Sequence, residues 1–152
     1  ARACLRSLLS SAEPLPDTLR KALGATWGCD VFDHWGMTET GYGGGVECAC
    51  HDGYHLRETD LLVEIVDPLS GAPLPDGSPG EIVITTLTRE AMPLIRCRTG
   101  AVAALLPGPC ACGSPLRRLG PVRGRVERTV HGWRCVTREK GEHHVRTAGP
   151  TL

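Results

Sequence analysis

Apolar positions in the first part of the chain follow two different periods. ACLRSLLSS (residues 3–11) has the apolar character of a buried strand and gives way to the turn SAEPLP. In PDTLRKALGATWG (16–28) Leu19, Leu23 and Trp27 recur four residues apart, which marks one face of a helix. Pro16 and Asp17 suit its start and Gly28 its stop. CDVFDHWG (29–36) returns to a strand-like apolar run. Strand, helix and strand in that order predict a βαβ unit and a parallel sheet. Ligands of such sheets sit at the carboxyl ends of the strands, where SAEP and WGMTET lie.

Beyond the glycines the pattern shortens. GVECACHDGYHLRE, LLVEIVDP, GEIVITTLT, PLIRCRTG and AVAALLPG are β-rich runs separated by DPLSGAPLPDGSPG, AMP and LPGPCACGSP. The predicted fold class is α/β followed by a β-rich subdomain. A partial βαβ unit occupies residues 1–45, an antiparallel meander or small barrel residues 46–127, and an irregular basic tail residues 128–152. No internal repeat is present.

Composition narrows the class. The 152 residues suffice for one domain or two small subdomains, and 41% of them are apolar. No stretch approaches the ~20 apolar residues of a membrane span, and no secretory signal opens the chain. A cytoplasmic globular protein is expected. The opening residue, Ala1, runs straight into a strand-like segment, so a piece of a longer protein is also expected. Net charge is zero, yet residues 117–152 carry nine Lys/Arg against three acids. That tail holds a single aromatic for base stacking, Trp133, so nucleic acid is not the expected partner. The eight cysteines read as metal ligands or buried thiols rather than disulfides. Cys48, Cys50, His51 and His55 in ECACHDGYH, with Cys110 and Cys112 in PGPCACG, could close a tetrahedral zinc site. The preferred set is Cys48, His55, Cys110 and Cys112, with Cys50 or His51 as substitutes; incidental or buried thiols are the alternative.

DHWGMTET, HLRETDLLVEIVDPLSGAPLPDGSPGEIVITTLTREAMPLIRCRTG and LLPGPCACGSPLRRLGPVRGR resemble, in that order, the adenylate-forming superfamily. The resemblance runs over residues 5–128 and is closest to the phenylacetate-CoA ligase-like branch. It implies activation of a carboxylic acid by ATP to an acyl-adenylate, then transfer of the acyl group to coenzyme A. Ala12, Glu13 and Pro14 match a turn beside adenine. Trp35 takes the place of an aromatic that packs along adenine, followed by Gly36 and Met37. Thr38 can donate its hydroxyl to a phosphate oxygen, and Glu39 can hold Mg²⁺. Gly41 and Gly43–Gly45 would let backbone approach the ligand. Taken alone, Thr38–Glu39 could equally be a helix start with an acidic first turn. Arg125 matches an arginine that reaches ribose and phosphate, or is a solvated arginine of the tail. His34 could line the acyl pocket or simply be packed. Some ligases of this branch resemble this chain in carrying a structural zinc.

The chain departs from that pattern in several places. Ala101 stands where the family has an Asp that binds the ribose hydroxyls. Losing that charged acceptor costs about 1.5–3 kcal/mol of nucleotide binding. Cys97 replaces a Tyr, and the hinge acids are reduced to Glu127–Arg128. The 152 residues contain no Ser/Thr/Gly-rich phosphate loop with a lysine and no lid lysine; Lys140 sits in REKGEHH without a supporting pattern. The expectation is a fragment ending the large N-terminal domain of a ligase, inactive alone, with a separate polypeptide as one source of the missing part. The alternative is a zinc-stabilised binding module without catalysis.

Overall fold

The computed structural model describes residues 4–130 and 132–136, and the backbone of residues 145–146. Strand β1 (Ser7–Ser10) and strand β2 (Asp30–Trp35) run parallel, with Ser7 opposite Asp30 and Ser10 opposite Asp33. Helix α1 (Asp17–Trp27) makes the crossover, completing the βαβ unit that the apolar pattern predicts. Gly28 ends the helix in the left-handed region (φ 65°) and returns its N–H to the carbonyl of Gly24 at 2.8 Å. The apolar face is only partly covered. Leu19 and Trp27 are half exposed, and no helix residue is fully buried. The half-buried residues of the helix are Arg20, Leu23 and Gly24. The Arg20 guanidinium donates to the Val31 carbonyl, which ties the helix to β2. Strand β1 is likewise not buried: its residues alternate between exposed and half-buried.

The remaining strands are β3 (Gly45–Glu47), β4 (Tyr54–Leu56), β5 (Leu61–Val66), β6 (Gly80–Thr86), β7 (Cys97–Ala103), β8 (Leu105–Leu106), β9 (Arg118–Leu119), β10 (Gly124–Thr129), β11 (Gly132–Val136) and β12 (Val145–Arg146). They form two open six-stranded sheets, ordered β1-β2-β3-β4-β9-β8 and β12-β11-β10-β7-β6-β5. The small barrel is therefore not formed, because neither set of strands closes on itself. Strand β2 pairs antiparallel with β3 through His34–Val46 and Trp35–Gly45, and Gly45 opens β3. The tail is also corrected. Residues 124–136 form an antiparallel hairpin pairing Val126 with Cys135 and Arg128 with Trp133. Residues 137–144 and 147–152 lie outside the described residues.

The core draws on both sheets. Trp35, Leu56 and Leu119 from one meet Val63, Ile65, Ile82, Ile84 and Ala103 from the other. Strand β6 lies between β5 and β7, and its first five residues are all buried, including the carboxylate of Glu81. Glu81 accepts from the Arg98 Nε at 3.0 Å, from a second Arg98 nitrogen, from the Gly100 N–H at 3.1 Å and from the Arg128 Nη2 at 3.3 Å. A buried charge is tolerated only when paired and hydrogen-bonded in this way. Among the described residues, no helix is long and apolar enough to cross a membrane.

Trp35 reaches the core because Gly44 has no side chain: a Cβ there would lie 2.1 Å from the indole Cζ3. Gly44→Val is expected to lower stability by about 1–3 kcal/mol, the usual cost of forcing extra methyl groups into a filled core. The readout is a lower midpoint in urea or thermal unfolding; an unchanged midpoint would mean that the indole is free to move.

Candidate functional site

A cleft of about 220 Å³ opens at the carboxyl ends of β1 and β2. Ala12, Glu13 and Pro14 line it from the turn after β1, and Trp35 and Gly36 from the end of β2. Pro121 and Val122, ahead of β10, close it on another side. Five sequence-predicted binding residues from two separate segments are thus brought to one cavity. Ala12 has φ 80°, the left-handed region that a non-glycine residue rarely occupies. Met37, Thr38, Glu39 and Arg125 are not among the lining residues. Thr38 is exposed and Glu39 half-buried in the short 3₁₀ turn Thr38–Thr40, two residues beyond Gly36. That turn is secured by Thr40, whose buried hydroxyl donates to the Met37 carbonyl at 2.8 Å and accepts from its N–H at 3.0 Å. The neighbouring Thr38 and Glu39 side chains are not used in that fastening.

The glycine-rich loop serves the protein's own rings. The ring of His34, which also lines the cleft, fits because Gly43 is bare: a Cβ there would lie 1.9 Å from Nε2. His34 Nδ1 and Ser11 Oγ are 3.1 Å apart, which joins the ends of β1 and β2. Trp35 is only 8% exposed and belongs chiefly to the core, so its indole is fixed before any ligand arrives.

A polar network that the sequence analysis missed forms part of the cleft. Asp33 is buried, and its carboxylate accepts from Tyr54 Oη at 2.8 Å and from the His34 N–H at 2.9 Å. Beside it, Arg20 grips Glu47 with two nitrogens at 2.7 and 2.9 Å. Glu47 also takes the Asp33 N–H at 2.8 Å and lies 3.1 Å from His51 Nδ1. Burial alone would push the Glu47 carboxyl up, but Arg20, the Asp33 N–H and His51 together hold it below its ordinary value. Burial and the Asp33 carboxylate push the Tyr54 hydroxyl well above its usual range, so Tyr54 stays a donor. These residues come from α1, β2, β3 and β4, and no local spacing in the sequence links them.

Arg125 sits opposite Ala101 where β10 pairs with β7. Its Nη2 donates to the Thr99 carbonyl at 3.2 Å. Ala101 is buried within the apolar core.

Four further predicted ligands converge. The ligand atoms of Cys48, His55, Cys110 and Cys112 all lie within 4.8 Å of one another. Cys48 Sγ and Cys110 Sγ are 3.6 Å apart, and Cys112 Sγ is 3.4 Å from His55 Nε2. Metal bonds of about 2.0–2.3 Å in a tetrahedral site bring ligand atoms to such separations. The Cys112 backbone N–H, with the nearby Cys112, Cys48 and His55 side chains, pulls the Cys110 thiol down to about 6. Burial pushes Cys48 up. Arg118 is buried behind the cluster and donates to the carbonyls of Asp52, Gly108 and Pro107, at 3.0, 3.3 and 3.4 Å. It also holds the Asp52 carboxylate, which joins the two turns carrying the sulfurs. The proposed substitutes are outside the four-ligand set, although the Cys50 N–H donates to Cys48 Sγ at 3.4 Å. His51 stacks on Phe32 with centroids 5.4 Å apart, and Cys50 is exposed. Among the described residues the buried His55 Nδ1 has no hydrogen-bond partner, so the polar contact of that ring is its Nε2 beside Cys112.

A family model described as AMP-binding enzyme matches residues 1–88, and the chain belongs to that family. Its relatives place it in the phenylacetate-CoA ligase-like branch. Phenylacetate-coenzyme A ligase of Pseudomonas putida is 40% identical over 125 residues, covering 81% of this chain and 28% of that protein. The ligase of the same name from Aromatoleum evansii is 45% identical over 119 residues, covering 76% of this chain and 26% of that protein. Among solved structures, an open conformation of 2-hydroxyisobutyryl-CoA ligase in complex with 2-HIB-AMP and CoA aligns with a TM-score of 0.72 at 25% identity. That alignment covers 79% of this chain and 27% of the other. The chain spans little more than a quarter of the length of the curated relatives it matches.

Because the folded state holds the Glu47 carboxyl below its ordinary value of 4.5, its contribution to stability is complete above that pH and is lost as pH falls through the folded value. The thermal midpoint of Glu47→Gln is therefore expected to lie below that of the parent at pH 7, with the gap narrowing below pH 4.5. A gap that widens on acidification would contradict the network.

Proposed function

We propose that this chain is the adenylate-binding section of an ATP-dependent acyl- or aryl-CoA ligase. The supporting observation is that Ala12–Pro14 and Trp35–Gly36, from two strand ends, line one cleft. In the proposed reaction a carboxylate oxygen attacks the α-phosphorus of ATP and displaces pyrophosphate, giving an acyl-adenylate. The thiol of coenzyme A then attacks the acyl carbon and expels AMP, leaving a thioester.

Each residue has a role set by its chemistry. Ala12, Glu13 and Pro14 would form the wall against adenine, with Trp35 fixed opposite. Asp33 holds lone pairs beyond the two hydrogen bonds it accepts and could take the adenine amino group. Gly36 and Met37 lead the backbone from the cleft to Thr38, whose exposed hydroxyl can donate to a phosphate oxygen. Glu39 would hold Mg²⁺, which supplies charge neutralisation where two anions meet. Arg125 would reach the ribose side. Cys48, His55, Cys110 and Cys112 would hold a structural zinc, closed by four protein ligands and therefore without a catalytic position.

The catalytic set within these 152 residues lacks a phosphate-loop lysine and a lid lysine. The chain by itself is accordingly expected to give no ATP–pyrophosphate exchange with aryl acids, and clear turnover would contradict that reading. Ala101 favours a second reading, a nucleotide-free module stabilised by zinc. Ala101→Asp separates the two. If the cleft is an adenylate site, the variant is expected to bind AMP roughly ten- to a hundredfold more tightly in calorimetry. The gain should come with a lower thermal midpoint, because the new carboxylate intrudes on the core. Equal or weaker AMP binding would favour the second reading. For the metal, native mass spectrometry is expected to show one zinc that a chelator removes, with a fall in the thermal midpoint. A mass unchanged by chelator would remove the zinc assignment.

A further inference from the structure

A second cavity, of about 360 Å³, lies on the other side of the Thr38–Thr40 turn and shares no lining residue with the first. Its walls are Thr40, Gly41 and Tyr42 from that turn, Arg57, Asp60 and Leu61 leading into β5, and Thr86, Thr88 and Arg89 from the end of β6. Two guanidinium groups face one carboxylate. The carboxylate is already committed: Asp60 holds Arg57 and accepts from the Thr88 hydroxyl at 3.2 Å. Arg57 also donates to the Gly43 carbonyl at 3.3 Å, so its charge is fixed in orientation.

Arg89 is different. It is half-buried, and among the described residues it has no hydrogen bond or ion pair. Its Nη2 lies 3.1 Å from where a Cβ of Gly41 would stand, so the guanidinium rests directly on the turn (Gly41 φ 68°). The cavity's one carboxylate, Asp60, is already held by Arg57, which leaves the half-buried Arg89 short of a counter-charge. Glu90, next in the chain, is exposed and does not line the cavity. The planar, five-donor guanidinium suits a tetrahedral oxyanion, and Arg57 stands on the facing wall as a second cation.

We propose that this cavity is a separate oxyanion site of the phosphate class, with Arg89 as its anchor and Arg57 as its second cation. The site needs nothing from the ligase reading: it would hold if the adenylate cleft proved empty. Its ligand could be a free phosphate or diphosphate, or a phosphate carried by coenzyme A.

Calorimetric titration of the full chain with inorganic phosphate, pyrophosphate and coenzyme A, in buffer with sulfate as competitor, tests the site and separates these sources. At least one of the three is expected to bind in excess over sulfate. Arg89→Gln should weaken that binding roughly ten- to a hundredfold while leaving the thermal midpoint in place. AMP bound in the first cleft should not displace it. Tighter binding of coenzyme A than of pyrophosphate assigns the phosphate to a thiol carrier; the reverse order assigns it to free diphosphate. Arg57→Gln provides a second variant, expected to weaken binding in the same direction. Binding no stronger than that of sulfate, or binding untouched by Arg89→Gln, overturns the proposal.

Discussion

The fold around both cavities depends on three adjacent positions that carry no side chain. Gly43, Gly44 and Gly45 are buried, and a Cβ at each would meet His34, Trp35 or the His55 carbonyl at 1.9, 2.1 and 2.9 Å. The bare backbone lets the rings at the end of β2 turn inward while β3 still pairs with β2. From this follows the position of the Thr38–Thr40 turn, which hangs between two fixed points. Its start follows Gly36 in the first cleft, and its end, Gly41, underlies Arg89 in the second. Glycines that the sequence presents as room for a ligand are therefore spent first on the protein's own interior.

Charge is organised by the same economy of burial. Glu81 and Glu47 are both withdrawn from water, and each is satisfied by arginine together with a backbone N–H. Arg118, buried in turn, joins the two segments that present the cysteine and histidine ligands. Removing one partner of such a group leaves the other unpaired, which is why these contacts hold the architecture more firmly than exposed pairs such as Arg117–Asp76. Arg89 stands outside this scheme as a half-buried cation without a described partner.

Much of this was legible in the residues, and the failures have identifiable causes. The βαβ unit was readable because strand and helix periods differ and Gly28 marks the boundary. Three of the four metal-type ligands were readable because two Cys-x-Cys turns are local signals, and the fourth, His55, follows the first of them closely in the sequence. On α1 the apolar spacing marks Leu19, Leu23 and Trp27, of which only Leu23 is half-buried, and the bond from Arg20 to Val31 joins elements that no local spacing links. Alternation within strands carries no information on closure, so a barrel and two open sheets look alike. The hairpin at 124–136 was hidden by arginines: Val126 faces inward, but charged neighbours mask the period of two. The Asp33–Tyr54–Glu47–Arg20 network is assembled from four elements, so it exists only after folding. The second cavity was invisible for the same reason.

Residue-resolved binding of AMP tests the central claim most directly, that the ends of β1 and β2 together form an adenylate cleft. In a nuclear magnetic resonance titration of the chain, the amides of Ala12, Glu13, Asp33, Trp35 and Gly36 are expected to shift together along one saturating curve. Shifts confined to the arginine-rich hairpin at 124–136, or none that saturate, would contradict the account.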